Sequence, residues 1–118
     1  MRVLIVEDEP VIVLDLTDIL EDAGHIVVGV AESMERALEL ATASVPFDVA
    51  IMDVDLSGGP DGVETARRLR EQHDVPSLFV SGRLTDESRA LAAEWGPLGF
   101  IGKPFLPEQV LGAIGGSS

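Results

Sequence analysis

Cysteine is missing from this 118-residue chain. Its absence excludes disulfides and thiolate zinc sites, in keeping with a cytoplasmic protein. Positive charge is scarce: 8 Lys and Arg stand against 21 Asp and Glu, for a net charge of −13. Such a surface repels phosphate backbones, which argues against direct DNA or RNA binding. No apolar run approaches membrane-spanning length, and the N-terminus lacks the basic-then-apolar order of a secretory signal, so neither membrane insertion nor export is expected. Repeats and internal linkers are lacking too. The expected organisation is one domain over residues 1–114 and a flexible tail over residues 115–118, where Gly115-Gly116-Ser117-Ser118 stands.

What is present is ordinary for a globular domain. The apolar share is 46%, and a chain of this length buries roughly two-thirds of its unfolded surface. Five apolar runs, near 2–6, 26–30, 48–52, 76–80 and 98–101, read as strands. They alternate with helix-like segments near 10–23, 33–43, 62–73, 86–95 and 107–114. In the first of these, Pro10 suits the first helical position and Gly24 a left-handed residue past the end. Ile12, Leu16, Ile19, Leu20 and Ala23 are spaced to form one buried face. Ser33 and Thr85 are expected to cap the second and fourth helices, with Ala37, Leu38 and Ala41 of the second turned inward. Asp61 and Glu64 make a capping box for the third, whose last turns carry Arg67, Arg68 and Arg70. Strict alternation of this kind predicts an α/β domain, a parallel sheet with helices on both faces joined by right-handed crossovers.

Reactive residue types gather just past the apolar runs. Glu7 and Asp8 follow Val3-Leu4-Ile5-Val6, Asp53 follows Ala50-Ile51-Met52, Ser81 follows Leu78-Phe79-Val80, and Lys103 comes soon after Phe100-Ile101. In a parallel sheet these tips converge on the edge where open α/β sheets bind ligands. Glu7, Asp8 and Asp53 would repel one another without a cation, and an all-oxygen set without His or Cys suits Mg2+. Lys103 as a point charge and Ser81 as a donor would complete a site able to stabilise a phosphoryl group in transfer to a carboxylate. Each residue also has a plain structural reading. Asp53 can be a polar strand end, Glu7-Asp8 a favourable charge at a helix start, Ser81-Gly82 a turn and Lys103-Pro104 a strand exit. Four such coincidences at four successive tips are less plausible than one shared site.

Val6-Glu7-Asp8-Glu9-Pro10, Met52-Asp53, Asp61-Gly62, Ser81-Gly82 and Lys103-Pro104-Phe105, in this order and spacing, resemble the receiver domain of two-component response regulators over essentially the whole chain. The resemblance implies a doubly wound (βα)5 domain with a five-stranded parallel sheet in the order 2-1-3-4-5. It implies Asp53 as phosphoacceptor, charged by a histidine kinase or phosphotransfer protein. The Mg2+ ligands would be Asp8, Asp53, the backbone carbonyl of Asp55, and Glu7, often through water. Ser81 would be the switch hydroxyl, Lys103 the invariant-type lysine and Phe100 the aromatic switch residue. An output protein or domain would read the face made by the fourth helix, fifth strand and fifth helix. The implied product is a signalling switch that promotes its own phosphorylation and dephosphorylation, and not an enzyme.

The sequence departs from that family's pattern in two places. Leu56-Ser57-Gly58-Gly59-Pro60-Asp61-Gly62 is one residue longer than usual, with Ser where Pro is common. Phe100 replaces a frequent Tyr, so any inward-outward swing would rest on packing alone. Trp95-Gly96-Pro97 is expected to end the fourth helix and cover the core, and His25, His73 and the three arginines to be structural or solvent-facing. Three other classes are weighed. Asp53-Val54-Asp55 offers the paired spacing of a Mg-dependent phosphohydrolase with an aspartate nucleophile and Asp55 as general acid, but leaves Glu7-Asp8 without a role. A flavin-binding module would need a phosphate-cradling loop after the first strand, where acids stand instead. A constitutive interaction module would have no use for the complete set of acids, hydroxyl and lysine.

Overall fold

Val3-Leu4-Ile5-Val6 presents alternate side chains to opposite faces of a strand, and all four are buried, so this strand needs a covering layer on each side. The computed structural model, which describes residues 1–43, 46–56 and 62–115, supplies both layers. Its elements are β1 (Arg2–Val6), α1 (Pro10–Asp22), β2 (Ile26–Ala31), α2 (Met34–Thr42), β3 (Val49–Met52), α3 (Gly62–His73), β4 (Ser77–Ser81), α4 (Asp86–Ala93), β5 (Gly99–Gly102) and α5 (Pro107–Gly115). The strands are parallel and ordered β2-β1-β3-β4-β5, as expected.

The alternation sorts the core into two halves. Val3, Ile5, Val49, Ile51, Leu78 and Val80 meet Leu16 and Leu20 of α1 and Val110 and Ile114 of α5. Leu4, Val6, Ala50, Met52 and Phe79 meet Ala37 of α2, Ala66 and Leu69 of α3 and Ala92 of α4. Each large side chain fully buried here contributes about 1.5–3 kcal/mol. Between the Val3–Val27 and Leu4–Gly29 pairs β2 carries one extra residue, Val28, a bulge that bends this edge strand.

Local signals set most boundaries. Pro10 opens α1, and Gly24 beyond its end has φ +89°. Ser33 accepts the Arg36 N–H at the start of α2, and Thr85 accepts that of Ser88, which caps back, at the start of α4. The Asp61 half of the expected capping box on α3, like Ser57–Pro60 of the lengthened loop and residues 116–118 of the tail, lies outside the described residues. Ala23 is exposed, contrary to the spacing argument, because α1 ends at Asp22 and Ala23 serves as its C-cap. Trp95 lies beyond α4, which stops at Ala93; the ring is half-buried and faces the Arg67 guanidinium at 6.0 Å. The arginines of α3 are paired and not merely solvated. Arg67 and Arg68 hold the Glu64 carboxyl down at about 2, and Arg70 donates to the carbonyls of Trp95 and Gly96, both at 2.9 Å. No helix among the described residues is long and apolar enough to cross a membrane.

Candidate functional site

Parallel pairing carries the ends of β1, β3, β4 and β5 to one edge, and backbone hydrogen bonds tie those ends together. The Asp53 N–H donates to the Val6 carbonyl at 3.0 Å, the Glu7 N–H to Ala31 at 2.9 Å, and the Lys103 N–H to Ser81 at 3.1 Å. Glu7 and Asp53 are therefore continuations of central strands, only 3% and 4% exposed. Glu7, Asp8 and Asp53 each offer a carboxylate oxygen within 4.8 Å of the others. Lys103 reaches in from the far side of the sheet, with Nζ 2.5 Å from Glu7 Oε1, 3.3 Å from Asp53 Oδ2 and 3.5 Å from Glu9. Its shortest contact is to Glu7.

The remaining oxygens are also engaged. Glu7 Oε2 accepts the N–H groups of Asp8 and Glu9 at 2.9 and 3.2 Å, and Asp53 Oδ1 accepts that of Asp55 at 3.1 Å. Burial pushes the Glu7 carboxyl up to about 7; Lys103 opposes the rise and Asp53 adds to it. For Lys103, burial pulls downward, but the hydrogen bond to Glu7 and the charges of Asp53 and Glu7 more than offset it, leaving the ammonium above its ordinary range. Three carboxyl groups gather around one ammonium, and an all-oxygen donor set of this kind fits a hard divalent cation.

Ser81 is buried at the end of β4, and its Oγ accepts the Arg83 N–H at 3.3 Å. Among the described residues no hydrogen bond joins Ser81 to Asp53. The Asp55 carboxylate lies 3.9 Å from the exposed Arg83 guanidinium. Phe100 stacks on Phe79 of β4, centroids 5.5 Å apart and planes 14° from parallel. It also lies under the Arg89 guanidinium of α4 at 5.5 Å, so packing is not its sole restraint.

Sequence reasoning missed two contributors. Glu9 joins the lysine contacts, and Gly62 abuts the end of β3 so closely that a Cβ there would fall 1.8 Å from the Asp53 carbonyl oxygen. The Asp61-Gly62 dipeptide was the available signal for the second, though nothing local says that Gly62 meets Asp53.

The chain is similar to known proteins. The sequence profile described as the response regulator receiver domain matches residues 3–115. Phyllosphere-induced regulator PhyR of Methylorubrum extorquens is 34% identical over 114 residues, 96% of this chain and 42% of that protein. Transcriptional regulatory protein PdtaR of Mycobacterium tuberculosis is 32% identical over 113 residues, 96% of this chain and 54% of that protein. The chain thus spans about half the length of these relatives. The crystal structure of the signal receiver domain of a modulated diguanylate cyclase from Desulfovibrio desulfuricans superposes with a TM-score of 0.87 at 34% identity, covering 96% of this chain and 89% of that one.

Proposed function

The chain belongs to the response regulator receiver domain family, and from that membership we propose that it is a phosphorylation-operated switch whose acceptor is Asp53. The observation that carries this reading is a carboxylate delivered by a central strand into a buried acidic group and faced by Lys103 at 3.3 Å. Asp8 and Asp53, with Glu7 assisting and the Asp55 backbone carbonyl as a further contact, would hold Mg2+. The bound cation supplies charge neutralisation for the carboxylates and the phosphoryl group in transfer.

In the reaction a carboxylate oxygen of Asp53 attacks the phosphorus of a phosphohistidine. The P–O bond forms as the P–N bond breaks, and the departing imidazole takes a proton from water. Lys103 stabilises charge on the phosphoryl oxygens. The Asp55 N–H orients the acceptor carboxylate through Oδ1. Ser81 accepts the Arg83 N–H, which leaves its own proton to donate to a phosphoryl oxygen. Attack of water on the acyl phosphate returns Asp53, so the same groups serve dephosphorylation. Phosphorylation draws Ser81 and Lys103 toward Asp53 and thereby biases Phe100 and the α4-β5-α5 face.

Exposed apolar residues stand at places that suit the partners this implies. Beside the site, Val11, Leu14 and Val30 are exposed, and a groove of about 370 Å³ runs from Glu7 and Asp8 along Pro10, Val13 and Leu14. This is where a histidine kinase or phosphotransfer protein would dock. Leu91, Leu98 and Leu106 are exposed on α4, before β5 and before α5, where an output protein or domain would bind. Incubation with Mg2+ and acetyl phosphate, followed by intact mass, tests the reading. Wild type gains one phosphate and Asp53→Asn none. An equal gain by both, or rapid donor turnover with no adduct on wild type, contradicts it.

A further inference from the structure

The arginines of α3 give their charge to carboxylates: Arg67 and Arg68 to Glu64, Arg70 to Asp74. Arg89 of α4 is placed otherwise. Its guanidinium lies over the Phe100 ring at 5.5 Å, and among the described residues no carboxylate is within ion-pairing distance of it. The ring it covers is the cross-strand partner of Phe79, two steps along the ladder from the Ser81–Gly102 pair and three residues before Lys103. α4 itself is thinly seated, with Ala92 as its one buried residue among the described ones. A cation held over an aromatic face therefore counts for more here than on a deeply packed helix.

We propose that Arg89 is a positioning residue of the switch: held over Phe100, it ties α4 to β5 in the phosphate-free form and opposes the rearrangement that phosphorylation drives. The inference rests on the reading of Asp53 as acceptor. Movement of Ser81 pulls the connection between β4 and α4, while movement of Lys103 pulls β5 at the other end. Phe100 and Arg89 sit on opposite sides of that divide and cannot both follow without loosening their contact. By linkage, whatever the contact contributes to the resting form is subtracted from the affinity for a phosphoryl group. An exposed cation–π contact translates into roughly two- to fivefold.

Beryllofluoride, a tetrahedral phosphoryl mimic, provides the measurement. Its apparent Kd in the presence of Mg2+ is titrated calorimetrically against wild type, Arg89→Gln, Phe100→Leu and the double variant. Arg89→Gln is expected to bind roughly two- to fivefold more tightly than wild type, and to have no effect in the Phe100→Leu background. Unchanged or weaker binding by Arg89→Gln, or a gain that persists without the Phe100 ring, would overturn the proposal. Should Phe100→Leu not fold, the Phe100 ring proton shifts of Arg89→Gln decide. Displacement toward those of beryllofluoride-bound wild type supports Arg89 as a restraint, and unmoved shifts overturn it. Wild type that binds no mimic at all would refute the acceptor reading, and this inference with it.

Discussion

Glu7 is the residue on which burial and charge pull in opposite directions. It is nearly inaccessible, yet it supports Lys103 at 2.5 Å. Its carboxyl stands at about 7 against an ordinary 4.5, so between those values the folded protein binds more protons here than the unfolded chain does. Stability from this group is then complete below about 4.5 and declines as pH rises toward 7. Without Mg2+, wild type should lose on the order of 1–3 kcal/mol relative to Glu7→Gln across that window. Added Mg2+ should flatten the difference by favouring the carboxylate. Thermal melts of both proteins from pH 4.5 to 8, with and without Mg2+, check this; a constant difference would contradict it. Ser77 poses a simpler case, since its buried Oγ has no hydrogen-bond partner among the described residues. Ser77→Ala should stabilise by about 1 kcal/mol, visible as a rise in Tm of about 2–6 °C; a fall in Tm would show that the hydroxyl is satisfied. The chemical types at the site were readable because each stands at the end of an apolar run. Which acid Lys103 reaches was not, because that depends on side-chain paths across three strands.

Among the elements, α3 begins in direct contact with the end of β3. Its first residue, Gly62, donates its N–H to the Val54 carbonyl at 2.8 Å, and its Cα faces the Asp53 carbonyl with no room for a methyl group. Gly62→Ala must move either the helix or the acceptor. The expected cost is about 1–3 kcal/mol in stability, together with slower phosphorylation from acetyl phosphate in protein that is still folded. Melting curves and phosphorylation rates measured side by side test both parts; unaltered values would mean the helix start yields without consequence. The boundaries of α1, α2 and α4 were legible from Pro10, Gly24, Ser33 and Thr85, because caps act within a few residues. The approach of Gly62 to Asp53, the grip of Arg70 on Trp95 and Gly96, and the cover of Phe100 by Arg89 join residues distant in sequence. No local pattern encodes them.

At the scale of the molecule, alternating strands and helices already demanded a parallel sheet covered on both faces. The strand order came from resemblance and not from alternation, which is compatible with several orders. With that order, β1 and β3 lie side by side at the centre, and their tips bring Glu7, Asp8 and Asp53 into one acidic group at the carboxyl edge. The fold thus places Asp53 where neighbouring strands diverge toward opposite layers, with Lys103 as the link to the edge strand β5. The central claim is that this geometry makes Asp53 the phosphorylated residue. Borohydride reduction converts an aspartyl phosphate to homoserine and so marks the modified position permanently. Protein treated with Mg2+ and acetyl phosphate, reduced and mapped by peptide mass spectrometry, should carry homoserine at position 53 alone. Homoserine at Asp8 or Asp55, or none in protein that has gained phosphate, would contradict the account.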